Sequence, residues 1–142
     1  MAETLATIGY GLLFQIADSG GVNFTTVAEI TNLRGPSMQS EQHEVTHMES
    51  PSRYKEFIAG LLDGGEAAFD MNFLPSAATQ NLSTGVASLA QSGERRNMKI
   101  VWPTIGNPTW SFKGFVRTFE PTSPVNAPQT ASCTVKITGP IT

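Results

Sequence analysis

Cysteine and long apolar runs are scarce in this 142-residue sequence, and each shortage excludes a class of protein. The single cysteine, Cys133, has no partner for an internal disulfide, and no CxxC or Cys/His ligand set is present. No stretch approaches the roughly 20 apolar residues of a membrane span. Residues 1–16 contain no Lys or Arg, which argues against a secretory signal. We expect a non-secreted protein, made in a reducing cytoplasm, with no membrane partner.

Positive charge is also limited. The formal net charge is −3, which argues against a nucleic-acid ligand because DNA-binding proteins usually carry a basic patch. Residues 36–70 carry seven acids and two bases, a net of −5, whereas residues 71–142 have a net of +4. The opposite charges of these two regions either attract each other between identical subunits or belong to ordinary solvated faces.

Alternation of apolar and polar residues dominates the chain and predicts half-buried strands. Clean alternation covers the ranges 10–16, 67–73, 98–102 and 131–137, and a weaker strand covers 24–30. Cys133 falls in the apolar phase, so we expect a core thiol. The range 110–120 changes phase near Gly114, which indicates a bulge, a sharp bend or a strand buried on both faces.

One helix is predicted, over about residues 79–92. Leu82, Val86 and Leu89 have helical spacing, Thr79 or Asn81 could cap the N-terminus, and Gly93 stands where a helix ends. One helix among about seven short strands predicts a single, mainly β domain over residues 1–142. We expect a β-sandwich of two antiparallel sheets with a flanking helix.

The segment 36–65 is predicted to be a long loop or hairpin. Its second half places five large apolar residues at helical spacing: Tyr54, Phe57, Ile58, Leu61 and Leu62. The same residues also suit an extended connection whose side chains find pockets. Connections of this length are usually functional.

A possible catalytic motif lies in this segment. His43-Glu44-Val45-Thr46-His47 matches H-E-x-x-H, in which two histidines on one helix face bind zinc and the glutamate activates the metal-bound water. The surrounding sequence lacks an apolar helical stripe, charges flank the motif, and the chain has no third histidine. A small zinc metalloprotease using His43, Glu44 and His47 is therefore the alternative interpretation. The favoured one has no catalytic residues, metal or cofactor.

Several stretches from residue 40 onward resemble the major tail tube proteins of bacteriophages with long, non-contractile tails. The resemblance is carried by His43-Glu44-Val45-Thr46, by Ser50-Pro51, and by the run from Arg53 to Glu66. That run is similar to a family pattern R-x-x-E-F-I-P-G-L-x-D-x-G, with Ala59 in place of the usual proline. The stretches 112–116 and 135–139 extend the similarity.

The resemblance implies a structural virion protein of the tail. Such subunits form hexameric rings that stack into a tube, with strands joining an inter-subunit β-barrel around the channel for DNA and the tape measure protein. Tail tip and terminator proteins would be further partners, and DNA would pass without specific binding. A terminator, an adaptor or a ring of a secretion-system tube would share this architecture.

On this interpretation, two sets of residues receive roles. The subunit and ring contacts are expected from Tyr54, Phe57, Ile58, Leu61 and Leu62. The lumen is expected to be acidic, with Glu41, Glu44 and Asp70 facing it, because negative walls repel DNA phosphates. We also expect the segment 42–65 to become ordered only on assembly.

Overall fold

The computed structural model describes residues 3–4 and 6–142. Within them the chain forms nine strands and one α-helix. The strands are β1 Leu13–Ala17, β2 Phe24–Thr26, β3 Ile30–Arg34, β4 Gln39–Glu44, β5 Phe57–Asp63, β6 Glu66–Asn72, β7 Arg96–Val101, β8 Thr109–Thr122 and β9 Thr130–Thr138. The helix α1 spans Val86–Ser92.

Two antiparallel sheets account for all nine strands. The main sheet has seven strands in the order β2-β1-β7-β8-β9-β6-β3, and the second is the β4–β5 hairpin. Three strands separate β1 from β6 in the main sheet, yet the rings of Phe14 and Phe69 on these strands have centroids 4.6 Å apart. The main sheet therefore curls over on itself, without closing. The prediction of a mainly β fold with two antiparallel sheets and one helix is confirmed.

The core lies between the facing halves of the curled sheet. Alternate residues of β6, β7 and β9 point into it, as the sequence pattern predicts. Cys133 is among them and is 1% exposed. Burial raises the pKa of its thiol to about 12, so it behaves as a small apolar core residue.

The helix is shorter than the sequence indicates. It begins after Gly85, whereas Thr79 and Asn81 lie in the preceding turns and their side chains do not cap it. The side-chain oxygen of Asn81 instead accepts hydrogen bonds from the backbone N–H groups of Ser83, Thr84 and Gly85, which holds a non-helical turn. Gly93 ends the helix in the left-handed conformation, with φ 66°, as predicted.

The phase change in β8 is a bulge, one of the expected alternatives, but it lies beyond Gly114. The register shifts between Val116 and Thr118, where the strand passes β9, so the bulge lies after Gly114. Gly114 itself is required by close approach, since a Cβ there would lie 2.7 Å from the carbonyl oxygen of Lys136. A side chain at position 114 would push β8 and β9 apart.

The β4–β5 hairpin continues an edge of the main sheet. β3 pairs with β6, then the Ser37 N–H bonds to the Glu66 carbonyl, and β4 pairs with β5 from Gln39 opposite Asp63. Gly65 makes the junction possible. It has φ +72°, and a Cβ at this position would overlap the backbone of Ser37.

Candidate functional site

The β4–β5 hairpin, residues 39–63, carries seven exposed large apolar residues. Its large apolar side chains keep much of their surface accessible: Tyr54 75%, Phe57 49%, Ile58 55%, Leu61 77% and Leu62 84%. These are the five residues at which the sequence analysis predicts subunit and ring contacts. The structure places Phe57 to Leu62 on one strand, so the interpretation of this stretch as a helix is wrong.

Both faces of the hairpin carry apolar groups. Phe57 lies opposite Glu44 and the adjacent Ile58 lies opposite His43, so these two side chains point to opposite faces. Neither face packs on the core. The extended alternative agrees with the structure, and exposed apolar patches of this kind mark interaction sites.

Polar contacts hold the root of the hairpin to the main sheet. The Asp63 carboxylate accepts hydrogen bonds from the Gly65 N–H at 2.8 Å and from Lys136 Nζ at 3.1 Å. The hydrogen bond from Gly65, followed by the hydrogen bond and charge of Lys136, holds the pKa of Asp63 below its usual range. Beside the root is a cleft of about 900 Å³ lined by residues that include Met38, Leu61 and Ile141.

Hydrogen bonds also order the far end of the hairpin, where the H-E-x-x-H motif lies. Glu44 ends β4, and His47 lies in the turn beyond it, so the motif is not on a helix. Ser50 Oγ donates to Glu56 Oε2 at 2.6 Å and lies 3.1 Å from His47 Nδ1. Glu56 Oε2 approaches the same nitrogen of His47 at 3.3 Å. A Ser–His–acid triad uses both imidazole nitrogens, so this cluster is a structural tie rather than a nucleophile site.

The geometry of a zinc site is likewise missing from the described residues. His43 Nε2 contacts Glu41 Oε2 at 3.4 Å, while His47 contacts Glu56. Across residues 3–4 and 6–142, no group of three or more His, Cys, Asp or Glu side chains could hold a metal ion. Over the same residues, no helix has the length and apolar character to cross a membrane.

The three proposed lumen carboxylates do not form one cluster. Glu41 and Glu44 lie on β4 in the hairpin, whereas Asp70 lies on β6 in the main sheet. Asp70 Oδ1 accepts a hydrogen bond from Ser132 Oγ at 2.8 Å, and Glu44 Oε1 accepts one from Thr46 Oγ1 at 3.2 Å.

Two further exposed apolar residues lie just before helix α1 and in the hairpin turn. Leu82 has helical spacing with Val86 and Leu89 in the sequence, but it lies before the helix and is 65% exposed, and Met48 is fully exposed in the hairpin turn. The turn-forming sequence Ser83-Thr84-Gly85 could have shown that Leu82 precedes the helix. Met48 has no comparable signal, since single exposed apolar residues are common on protein surfaces.

Comparison with known proteins agrees with this architecture. A solved structure from the tail of an empty gene transfer agent particle, refined with C6 symmetry, is 18% identical, with a TM-score of 0.79 over 96% of this chain and 98% of that one. The sheath/tube terminator of an extracellular contractile injection system is 11% identical, with a TM-score of 0.73 over 99% and 98% of the two chains. The SPP1 tail tube protein is 11% identical, with a TM-score of 0.61 over 90% and 72%. The TM-scores show a shared fold, and at identities below 20% the likeness is limited to the fold.

The sequence comparison is more specific. No curated protein matches the chain, but residues 15–141 match the family described as lambda phage tail tube protein. That range includes all of the hairpin and all but two residues of the main sheet. The chain belongs to the lambda phage tail tube protein family, whose members are structural subunits of the virion tail and not enzymes.

Proposed function

We propose that this subunit assembles into hexameric rings that stack into the tail tube, the conduit for DNA delivery. The observation that carries the proposal is the β4–β5 hairpin, which presents apolar side chains on both faces and has no core of its own. A ribbon apolar on both faces can contact two neighbours, one on each side. The C6 symmetry of the gene transfer agent tail supports six subunits per ring.

Further partners follow from the same assignment. The tube would enclose the tape measure protein and end on tip and terminator proteins. Structural neighbours that include a tube-terminating cap and a baseplate support the second point. Edge strands β2 and β3 of the main sheet have one unpaired side each, which suits strands that join an inter-subunit barrel.

We also propose that Glu41, Glu44 and Asp70 face the lumen. No cation lies within ion-pairing distance of Asp70 or Glu44 among the described residues, so both carboxylates are free to repel DNA phosphates. Phage carrying Glu41→Lys and Asp70→Lys should build tails of normal length but eject DNA poorly. Normal ejection would remove this assignment.

Electron microscopy of the purified protein tests assembly directly. Wild-type protein should form tubes, and Phe57→Asp with Leu61→Asp should abolish them, because two desolvated carboxylates would lie in the contact. The melting temperature of the isolated subunit should hardly change, since both side chains are already exposed. Val125→Asp, on a fully exposed residue of the β8–β9 turn, is the matched control and should keep tubes. A wild-type subunit that never assembles, even with nucleating tail proteins, would contradict the proposal.

A further inference from the structure

A cavity of about 670 Å³ is lined by residues 7–12, by most of β3 and by residues 102–104. Several of its apolar lining residues also pack against the core: Leu12, Ile30, Leu33 and Trp102. The side chain of Asn32 and the hydroxyls of the threonines at 7, 31 and 104 add polar groups, and none of the described lining residues carries a charge. This volume, and a largely apolar lining with a few polar groups, are typical of small-molecule sites.

Trp102 contributes a hydrogen-bond donor without an acceptor. Its indole nitrogen is buried, and no atom of the described residues accepts a hydrogen bond from it. A buried indole N–H ordinarily has a partner, because an unpaired donor loses its hydration without compensation. The ring contacts that of Trp110 edge-on, with centroids 5.3 Å apart, so its orientation is restricted. A ligand oxygen that reached this N–H would satisfy it.

Tyr10 places a second aromatic ring on an adjustable wall of the cavity. It lies in a turn between Gly9 and Gly11, closed by the Leu12 N–H, which donates to the Gly9 carbonyl at 3.3 Å. Gly11 has φ +94°, and the side chain of Tyr10 is 89% exposed. Because residues 7–11 belong to no strand or helix, this ring can move onto a ligand held in the cavity.

We propose that this cavity binds a neutral saccharide. The C–H face of a sugar ring is apolar and packs on aromatic rings, while its hydroxyl oxygens can accept from Trp102 Nε1 and exchange hydrogen bonds with Asn32. A charged ligand would lose its hydration without gaining a counter-charge. A purely apolar ligand would leave the indole N–H unpaired. The inference does not depend on tube assembly and gives the subunit a second activity, the recognition of a sugar.

The two tryptophans make binding directly observable. They are the only ones in the chain, so the purified ¹⁵N-labelled subunit should give two indole N–H signals, which Trp110→Phe assigns. Titration with maltose should shift the Trp102 signal most, since that N–H gains an acceptor. The dissociation constant should be about 1 mM, as for weakly bound small ligands. Trp102→Phe keeps an aromatic ring but lacks the N–H, and it should weaken binding about tenfold.

Matched tyrosine variants separate the cavity from the rest of the surface. Tyr10→Ala should weaken maltose binding at least about tenfold while leaving the melting temperature unchanged, because the ring is exposed in the free subunit. Tyr54→Ala is the control. Tyr54 is the only other tyrosine, is 75% exposed in the hairpin and does not line the cavity, so this variant should bind as the wild type does.

Each outcome decides the inference. A maltose-dependent shift of the Trp102 signal that Tyr10→Ala abolishes and Tyr54→Ala retains supports it. No shift in the wild type, or the same loss in both tyrosine variants, overturns the site. Tighter binding of glucose 6-phosphate or of benzene than of maltose overturns the choice of a neutral saccharide. All of these measurements use the free subunit, so their failure would leave the proposed tube assembly untouched.

Discussion

Strands β5 and β6 have the same length, follow each other with only Gly64 and Gly65 between them, and have opposite environments. In β6 every second residue is buried, with Ala67, Phe69 and Met71 at most 1% exposed. In β5 no residue is buried, although four of its seven residues are large and apolar. Apolar content alone therefore does not identify core strands in this protein.

The difference lies in the pattern. β6 alternates apolar and polar residues, so one face can turn inward while the other remains hydrated. β5 places large apolar residues next to each other, at Phe57-Ile58 and Leu61-Leu62, so no rotation of the strand could bury both members of a pair against a single layer. A strand apolar on both faces needs covering on both faces, and the described part of this subunit provides neither cover.

The largest expected effect separates the two strands by stability. Phe69→Ala should destabilise the isolated subunit by about 3–5 kcal/mol, because it removes a buried ring and leaves a cavity. Phe57→Ala should change stability by no more than about 0.5 kcal/mol, as for other exposed positions. Denaturant unfolding followed by fluorescence measures both values. Equal losses would show that β5 belongs to the core of the free subunit.

Hydrogen exchange should give a second, smaller contrast. Amides of β5 in the free subunit should exchange faster than those of β6, since the hairpin opens without disturbing the core. Assembly into tubes should slow exchange in β5 and leave β6 nearly unchanged. Comparison of free and assembled protein by mass spectrometry provides the measurement, with β6 as the internal reference. Protection of β5 that already equals that of β6 in the free subunit would contradict the expected coupling of order to assembly.

The smallest effect concerns the junction between the two strands. The folded state lowers the pKa of Asp63, so its contribution to stability is present above the ordinary pKa of 3.8 and is lost as pH falls through the folded value. Asp63→Asn should therefore lower the melting temperature slightly at neutral pH, and this difference should shrink as the pH falls below the ordinary pKa of 3.8. Glu120→Gln removes an exposed carboxylate that has no ion-pair partner among the described residues, and it should show no such trend. A deficit for Asp63→Asn that persists at low pH would indicate a steric effect instead.

Much of the fold follows from local sequence. Strands β6, β7 and β9 could be predicted because each side chain's position in a strand depends only on the parity of its number, and burial follows that parity. The left-handed residue at Gly93 could be predicted because glycine adopts that backbone at no steric cost. The family could also be recognised from the sequence, since its motifs are carried by contiguous residues around the hairpin.

The remaining features depended on contacts between distant parts of the chain. The apolar spacing from Tyr54 to Leu62 fits either a helix or a strand. The segment forms strand β5 because β4 supplies its hydrogen-bonding partner. The curl that brings Phe14 onto Phe69 results from the twist of seven paired strands, which no single segment encodes. The exposure of Leu82 required the hydrogen bonds of Asn81 that delay the helix. By itself the sequence determined which residues are apolar and in what phase, and tertiary structure alone decided which of them remain uncovered, because burial depends on what packs against a surface.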